Sequence, residues 1–174
     1  MTHPLQSARL YYREFLPEDA ENMFALDANA EVHRYLGNNP LTDIAQSRVY
    51  IELVRAQYKQ NGIGRMATFT KDTNDFIGWT GLKLESKVNG RERFYDIGYR
   101  LLPQFWNKGY ATESSKFFIQ HAFNNLGIDT INATALKANT ASCNALTKSG
   151  LLATETFDYN GSEAVWFEIV KPVL

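Results

Sequence analysis

The part of the chain that most constrains the fold runs from a strand through a loop and a helix into a second strand. The first strand is predicted at Arg93 to Leu102, Gly109 opens the helix, Gly127 ends it, and Thr130 to Leu136 forms the next strand. Two strands joined through a helix in this way normally run parallel. The sheet predicted for this chain therefore contains at least one parallel pair.

Turn signals elsewhere predict antiparallel strands around that pair. Two strand-like runs, Arg65 to Thr70 and Phe76 to Leu84, precede it and are separated by a polar turn, which is the spacing of a meander. Another strand is predicted at Leu10 to Phe15. Near the end of the chain, Asn160-Gly161 lies between two further runs and predicts a hairpin.

Helix signals fill the gaps between these strands. Pro17 begins one helix, and Thr42 or Asp43 can cap a second helix that Asn61-Gly62 ends. A short helix is predicted at Thr140 to Lys148. Together these elements predict an α/β (α+β) fold with a mixed, mostly antiparallel central sheet flanked by helices.

Composition narrows the class of function. The chain has 174 residues, of which 44% are hydrophobic, so it suffices for one domain over 1–174. A net charge of −1 predicts no nucleic-acid partner. One cysteine excludes an internal disulfide, and three scattered histidines give no metal-ligand spacing, so no metal is expected. Neither a signal-peptide pattern nor a long apolar run is present, which predicts a cytoplasmic protein without membrane contact.

The segment from Asn107 to Glu113 carries the clearest chemical signal, because it lies between a predicted strand and a predicted helix. Its small residues, Gly109 and Ala111, let the backbone approach a ligand closely. The unpaired N–H groups of a helix start attract an anion, and a pyrophosphate would suit them. From this segment alone, an ordinary strand-to-helix turn fits equally well.

The order of motifs along the chain is more specific than any one of them. Ile97 to Leu101, followed by Trp106 to Glu113, resembles the GNAT acetyltransferases and in particular their RimJ/RimL-type branch. Downstream, Asn139-Thr140-Ala141-Ser142 and Lys148-Ser149-Gly150-Leu151 are similar to the Asn-x-x-Ser helix and terminal Gly-Phe of that branch. With the opening Ala8-Arg9-Leu10, the resemblance covers almost the whole chain.

The resemblance implies that acetyl-CoA is the co-substrate and that it lies in a splay of the sheet beside the parallel pair. The pantetheine arm would pair with the strand backbone at Tyr99, Arg100 and Leu101. Asn139 would hold that arm through its side-chain amide, and it can equally serve as a helix N-cap. The pyrophosphate would lie on the loop residues Asn107, Lys108, Gly109, Tyr110, Ala111 and Thr112.

The resemblance defines the acid and base groups less well. Many GNAT enzymes have a tyrosine that acts as general acid at the position where this chain has Leu146, which cannot donate a proton. The resemblance therefore leaves Ser142 as the candidate general acid. Asp96 is the first candidate for the base that deprotonates an amine. Alternatively, Asp96 positions the substrate amine electrostatically or is an ordinary solvated strand residue. Glu85 is the second candidate for the base. Cys143 is disfavoured as a nucleophile because no Cys/His/Asp arrangement is visible.

The acceptor is the least specified part of the expected reaction. The resemblance implies a pocket at the first two helices and the final hairpin, with His33 and Tyr35 as candidate substrate-binding residues; an ordinary surface loop fits as well. The expected function is transfer of an acetyl group to a primary amine, either a protein N-terminus, such as that of a ribosomal protein, or a small amine. A non-catalytic module that senses acetyl-CoA is the alternative, and the resemblance also implies a homodimer.

Overall fold

The computed structural model describes residues 5–173 and shows one eight-stranded sheet. Along the sheet the strands follow the order β1-β2-β3-β4-β5-β6-β8-β7, and only the β5–β6 pair is parallel. The strands are β1 (Leu5–Gln6), β2 (Leu10–Arg13), β3 (Met66–Thr70), β4 (Phe76–Glu85), β5 (Phe94–Leu101), β6 (Thr130–Leu136), β7 (Leu152–Tyr159) and β8 (Ser162–Val170).

Helices cover both faces of this sheet. They are α1 (Ala20–Asp27), α2 (Ala30–His33), α3 (Ile44–Asn61), α4 (Tyr110–His121) and α5 (Thr140–Lys148), with 3₁₀ turns at Pro17–Asp19 and Pro103–Phe105. Met23 of α1 and Trp79 of β4 belong to a core under α1–α3, whereas Tyr12 and Phe118 belong to a second core under α4 and α5. The sheet is therefore buried from both sides over most of its width.

The parallel pair is the feature of the sheet that positions a site. β5 and β6 are in register only at Asp96 and Asn132, although both strands continue beyond that point. By contrast, β4 pairs with β5 along the whole stretch from Phe94 to Leu101. The last residues of β5 therefore run beside β6 without forming a ladder, and this gap confirms the predicted splay.

Local signals set the helix ends as the sequence predicts. The carboxylate of Asp43 accepts the N–H of Ala45 at 2.8 Å, and the side chain of Gln46 accepts the N–H of Asp43 at 3.0 Å, which forms a capping box at the start of α3. Gly62 ends the same helix in a left-handed conformation, with φ of +69°. Of the two predicted caps, Asp43 is the one used.

Three details differ from the predicted elements. The first strand ends at Arg13 rather than Phe15, since the N–H groups of Phe15 and Leu16 donate to the Tyr58 hydroxyl and the Asp19 carboxylate and not to a neighbouring strand. β1 was not predicted, since two residues are too short to show a periodic pattern. A π-helical turn, Ala122–Leu126, continues α4 as far as Gly127. Within residues 5–173, none of the helices combines the length and apolar character that a membrane crossing requires.

Candidate active site

A cleft of about 580 Å³ opens where β5 leaves β6. Its walls come from the end of β5, the loop before α4, the first turn of α4, the length of α5, and α2 with the residues after it. The lining residues are Glu31, Val32, Tyr35, Leu36, Tyr99, Arg100, Leu101, Phe105, Trp106, Asn107, Gly109, Tyr110, Ala111, Thr112, Asn139, Ala141, Ser142, Asn144, Ala145 and Lys148. Elements far apart in the chain thus meet around one opening.

Most of the predicted site residues lie together in this cleft. Nine predicted cofactor-binding residues are in its lining: Tyr99, Arg100 and Leu101 of the strand, Asn107, Gly109, Tyr110, Ala111 and Thr112 of the loop, and Asn139. The lining also includes the predicted acid, Ser142, and the predicted substrate-binding residue Tyr35. Lys108, His33 and Asp96 are outside the lining. Lys108 instead places its ammonium over the ring of Phe105, 5.4 Å from the ring centroid.

The loop before α4 has the backbone shape of an anion site. Asn107 and Gly109 have φ angles of +59° and +79°, the left-handed conformation that glycine adopts most readily. Gly109 is the N-cap of α4 and offers no side-chain bond to the helix. The N–H groups of Tyr110, Ala111 and Thr112 therefore lack partners from within the helix and are available at its positive end.

A network involving Arg9 holds this loop from outside the cleft. The guanidinium of Arg9 donates to the carbonyl of Lys108 at 2.9 Å and lies 4.4 Å from the ring centroid of Tyr110. Glu113, in the first turn of α4, accepts the Arg9 N–H, the Arg9 guanidinium and the Ser7 hydroxyl, each at 2.7 Å. The carboxylate thus ties the turn between β1 and β2 to the start of α4, which agrees with the support for the helix start expected of an acidic residue there.

The Glu113 network predicts an acid-sensitive contribution to stability. Burial acts to raise the pKa of Glu113, but the hydrogen bonds from Arg9 and Ser7 outweigh it and hold the pKa below its ordinary value. A depressed pKa in the folded state stabilises the protein above the unfolded-state pKa, about 4.3, and this stabilisation is lost as the pH falls through the folded-state value. We therefore expect Glu113→Gln to lower the free energy of unfolding at pH 7, and we expect this difference to shrink as the pH falls below about 4.

Urea denaturation of both proteins across this pH range measures the difference. Glu52→Gln, at an exposed position of α3, is the matched control for the loss of one carboxylate. A Glu113→Gln effect that stays constant from pH 7 to pH 3 would contradict the assignment of the stabilisation to the ionised carboxylate.

Two hydroxyl groups meet on the α5 side of the cleft. The Tyr99 hydroxyl lies 3.0 Å from the Ser142 hydroxyl and donates to the Ser142 carbonyl at 3.1 Å. The side-chain oxygen of Asn139 accepts the Ser142 N–H at 3.1 Å, so Asn139 is the N-cap of α5. This cap fixes Ser142, and Ser142 in turn orients the Tyr99 hydroxyl.

On the opposite face of β5, the predicted base is held in an ion pair. The carboxylate of Asp96 pairs with Arg65, whose guanidinium also donates to the Asp96 carbonyl at 3.0 Å. Burial raises the pKa of Asp96, and Arg65 opposes that effect. Asp96 is not among the residues that line the cleft, and its carboxylate is paired with Arg65.

The two predicted acceptor residues separate in the structure. Tyr35 lines the cleft, whereas the side chain of His33 is 9% exposed and faces Asp27, with 3.8 Å between its Nε2 and the carboxylate. Arg100 donates to the same carboxylate at 2.6 Å. Burial and the nearby Arg100 charge lower the pKa of His33. His33 therefore lies behind the cleft wall, beside an ion pair that joins α1 to β5.

Sequence patterns did not reveal several of the contacts at this site. Nothing in the spacing of Tyr99 and Ser142 indicates that their hydroxyls meet, because they lie on elements brought together by the fold. The same is true of Arg9 with Glu113 and of Arg65 with Asp96. The positive end of α4 could be inferred locally, since a glycine in a strand-to-helix loop is itself a sequence signal.

Comparison with known proteins agrees with this geometry. The family model described as an acetyltransferase (GNAT) domain matches residues 9–152. The uncharacterized N-acetyltransferase YoaA of Bacillus subtilis is 32% identical over 146 residues, covering 84% of this chain and 81% of that protein. The FsC-acetyl coenzyme A-N(2)-transacetylase of Aspergillus fumigatus is 28% identical over 158 residues, covering 88% of this chain and 66% of that protein.

A solved structure confirms the fold. The structure of RimL, a ribosomal alpha-N-protein acetyltransferase in complex with coenzyme A, superimposes with a TM-score of 0.79 over 97% of this chain and 98% of that chain, at 14% identity. The matched family model spans the anion loop, the splayed strand and α5. The chain thus belongs to the GNAT acetyltransferases and is an acetyl-CoA-dependent acyltransferase.

Proposed function

We propose that this enzyme, a member of the RimJ/RimL-type branch, acetylates a primary amine on an acceptor with a single positive charge near the reacting nitrogen. Such an acceptor is the α-amine of a protein N-terminus or a small monoamine. The observation that carries the proposal is the cleft itself, which joins an anion loop, a free strand backbone and a pair of hydroxyls. An amine acceptor is a property of the family.

Each part of acetyl-CoA has a matching part of the cleft. The pyrophosphate fits the N–H groups at the start of α4, beside Gly109. The pantetheine amides fit the backbone of Tyr99–Leu101, which has no ladder with β6 and can accept an added strand. The amide nitrogen of Asn139 is the donor toward the same arm, because its oxygen already caps α5. Together these contacts direct the thioester toward the Tyr99 hydroxyl.

The reaction then needs two protons removed from the acceptor nitrogen and one negative charge stabilised. The acceptor ammonium loses its first proton to water, and its nitrogen attacks the thioester carbon to form a tetrahedral oxyanion. As the oxyanion collapses, the C–N bond remains and the C–S bond breaks, which releases coenzyme A as a thiolate. The nitrogen loses its second proton to water or to that thiolate, which leaves a neutral amide. When the Ser142 hydroxyl donates to the Tyr99 oxygen, the Tyr99 proton can turn from the Ser142 carbonyl to donate a hydrogen bond to that sulfur.

The charges around the cleft favour an acceptor with one amine. Its charged lining residues are Glu31, Arg100 and Lys148, and Arg100 is already paired with Asp27. A polyamine carries several positive charges and is recognised by a surplus of carboxylates, which the described lining does not offer. A protein N-terminus or a monoamine carries one positive charge, and Glu31, which lies 3.9 Å from the guanidinium of Arg34, is the one carboxylate in the described lining that would meet it.

Turnover with a panel of amines tests this choice. Release of the coenzyme A thiol is followed with acetyl-CoA and each of three acceptors: a short peptide with a free α-amine, an amino-acid amide and spermidine. We expect kcat/KM for at least one single-amine acceptor to exceed that for spermidine by about 10-fold or more, which equals about 1.4 kcal/mol. An N-acetylated peptide serves as the control without a reactive amine. Faster turnover of spermidine than of both single-amine acceptors would overturn the proposal.

A further inference from the structure

Arg65, the residue just before β3, places a buried guanidinium between two strands of the sheet. Its side chain is 7% exposed, although arginine is among the residues that are rarely buried without a partner. The guanidinium donates to the carbonyl of Gly81 on β4 and, through two of its nitrogens, to the carbonyl and the carboxylate of Asp96 on β5. A single side chain thus fastens β4 to β5 at Asp96.

Asp96 is also the point from which the splay begins. It is the β5 residue in register with Asn132 of β6, and the ladder stops there. The amide of Asn132 in turn donates to the carboxylate of Glu168 on β8 at 3.1 Å. Polar contacts of Arg65 and Asn132 therefore link β4 to β5 and β6 to β8 at the position of the Asp96–Asn132 pair. Beyond it, β5 continues without a ladder to β6 into Tyr99–Leu101, the strand segment that lines the cleft.

The space around Arg65 is shaped to the guanidinium. A Cβ added at Gly98 would lie 2.8 Å from an Arg65 terminal nitrogen, so a larger residue there would displace the side chain. On its other side the guanidinium lies 5.2 Å from the centroid of the Trp79 ring, a cation–π contact. Lys83 and Glu85, the other charged groups near Asp96, pair with each other. The Asp96 carboxylate is thus committed to Arg65.

We propose that Arg65 and Asp96 are positioning residues for acyl transfer. They fix the place at which β5 separates from β6, and thereby set the position of the Tyr99–Leu101 backbone and the Tyr99 hydroxyl relative to the thioester. The inference rests on the acyltransferase activity and not on the identity of the acceptor. It assigns Asp96 a role through Arg65 and β5 rather than a direct proton transfer with the amine.

Three variants test this inference against the direct role. Asp96→Asn keeps an oxygen that can accept from Arg65, Asp96→Ala removes it, and Gly98→Ala leaves both charged groups intact while it displaces Arg65. Lys137→Met, which breaks an exposed ion pair with Glu163 outside the cleft lining, is the matched control. For each protein, kcat, the acetyl-CoA Kd, the pH profile of kcat/KM and the fraction folded by circular dichroism are measured.

We expect kcat to fall about 30-fold in Asp96→Ala and about 10-fold in Gly98→Ala, because small displacements of reacting groups cost up to about 100-fold in rate. Asp96→Asn should recover most of the loss seen with alanine and keep the wild-type pH profile. Two results would overturn the inference. One is an Asp96→Asn protein that is folded yet loses at least as much kcat as Asp96→Ala. The other is a Gly98→Ala protein with wild-type kcat, a result that is informative even if the Asp96 variants do not fold.

Discussion

Replacing Gly109 with aspartate is expected to weaken acetyl-CoA binding by about 100-fold or more while the domain still folds. Gly109 has φ of +79°, and a residue with a side chain pays about 1–2 kcal/mol to adopt that conformation. An added Cβ would lie 3.4 Å from the Arg9 guanidinium, which is ordinary van der Waals contact, so the network that holds the loop has room for it. Most of the effect comes from the new carboxylate, which would lie where the helix start attracts a pyrophosphate.

A thermal-shift titration measures this effect. Ligand at about 100 times its Kd should stabilise the wild type by about 2.7 kcal/mol, and acetyl-CoA should do so where ATP and NAD at the same concentration do not. Two control variants separate the causes. Gly109→Asn has a similar shape without the charge and tolerates the left-handed conformation, whereas Gly127→Asp adds the charge at another glycine with positive φ, +65°, outside the cleft.

The variants should differ in the acetyl-CoA-induced shift of the melting temperature. Gly127→Asp should lower the melting temperature without changing the acetyl-CoA shift, and Gly109→Asn should keep a larger part of that shift than Gly109→Asp. If Gly109→Asp binds acetyl-CoA as tightly as the wild type does, the pyrophosphate does not lie on this loop.

Local rules predicted the parts of the molecule that depend on neighbouring residues. The boundaries of β6 and α5, Thr130–Leu136 and Thr140–Lys148, follow from apolar runs bounded by turn and cap residues, and the structure confirms both. The parallel pair followed from a single topological argument, since two strands joined through a helix normally run parallel, and the family resemblance implied the splay beside it. A glycine at the junction of a strand and a helix indicated an anion loop, and the resemblance favoured this interpretation over an ordinary turn.

Contacts between distant segments were beyond these rules. Arg65 and Asp96 look like ordinary charged residues on predicted strands, and only the folded sheet shows that each neutralises the other in a buried position. Tyr99 was predicted for its backbone alone, because the partner of its hydroxyl lies on α5, a helix that only the tertiary fold brings close. The side-chain contacts at the site therefore depend on tertiary packing and could not be predicted from the sequence. The backbone segments proposed to bind the cofactor depend largely on local conformation, so the sequence could indicate them.

Removing the Tyr99 hydroxyl is expected to lower kcat by about 100-fold, the cost typical of losing one donor to a developing negative charge. Burial raises the pKa of this hydroxyl to about 12, although the hydrogen bond with Ser142 opposes the shift. The thiol of coenzyme A has a pKa of about 8.5 by analogy with cysteine. Because the tyrosine is the weaker acid, the proton stays on Tyr99 and the hydroxyl stabilises the leaving thiolate by a hydrogen bond instead of transferring its proton.

Tyr99→Phe and Ser142→Ala separate this role from that of the serine. Ser142→Ala removes the hydroxyl beside the Tyr99 oxygen at 3.0 Å but leaves the proton on Tyr99 itself, so kcat should fall by less than about 10-fold. Since Tyr99 remains protonated from pH 6 to about pH 10, the ratio of wild-type to Tyr99→Phe kcat should be constant across that range. Steady-state kinetics at saturating acetyl-CoA gives both quantities. A larger loss in Ser142→Ala than in Tyr99→Phe would place the donor on the serine, and Tyr99 would then serve to orient it.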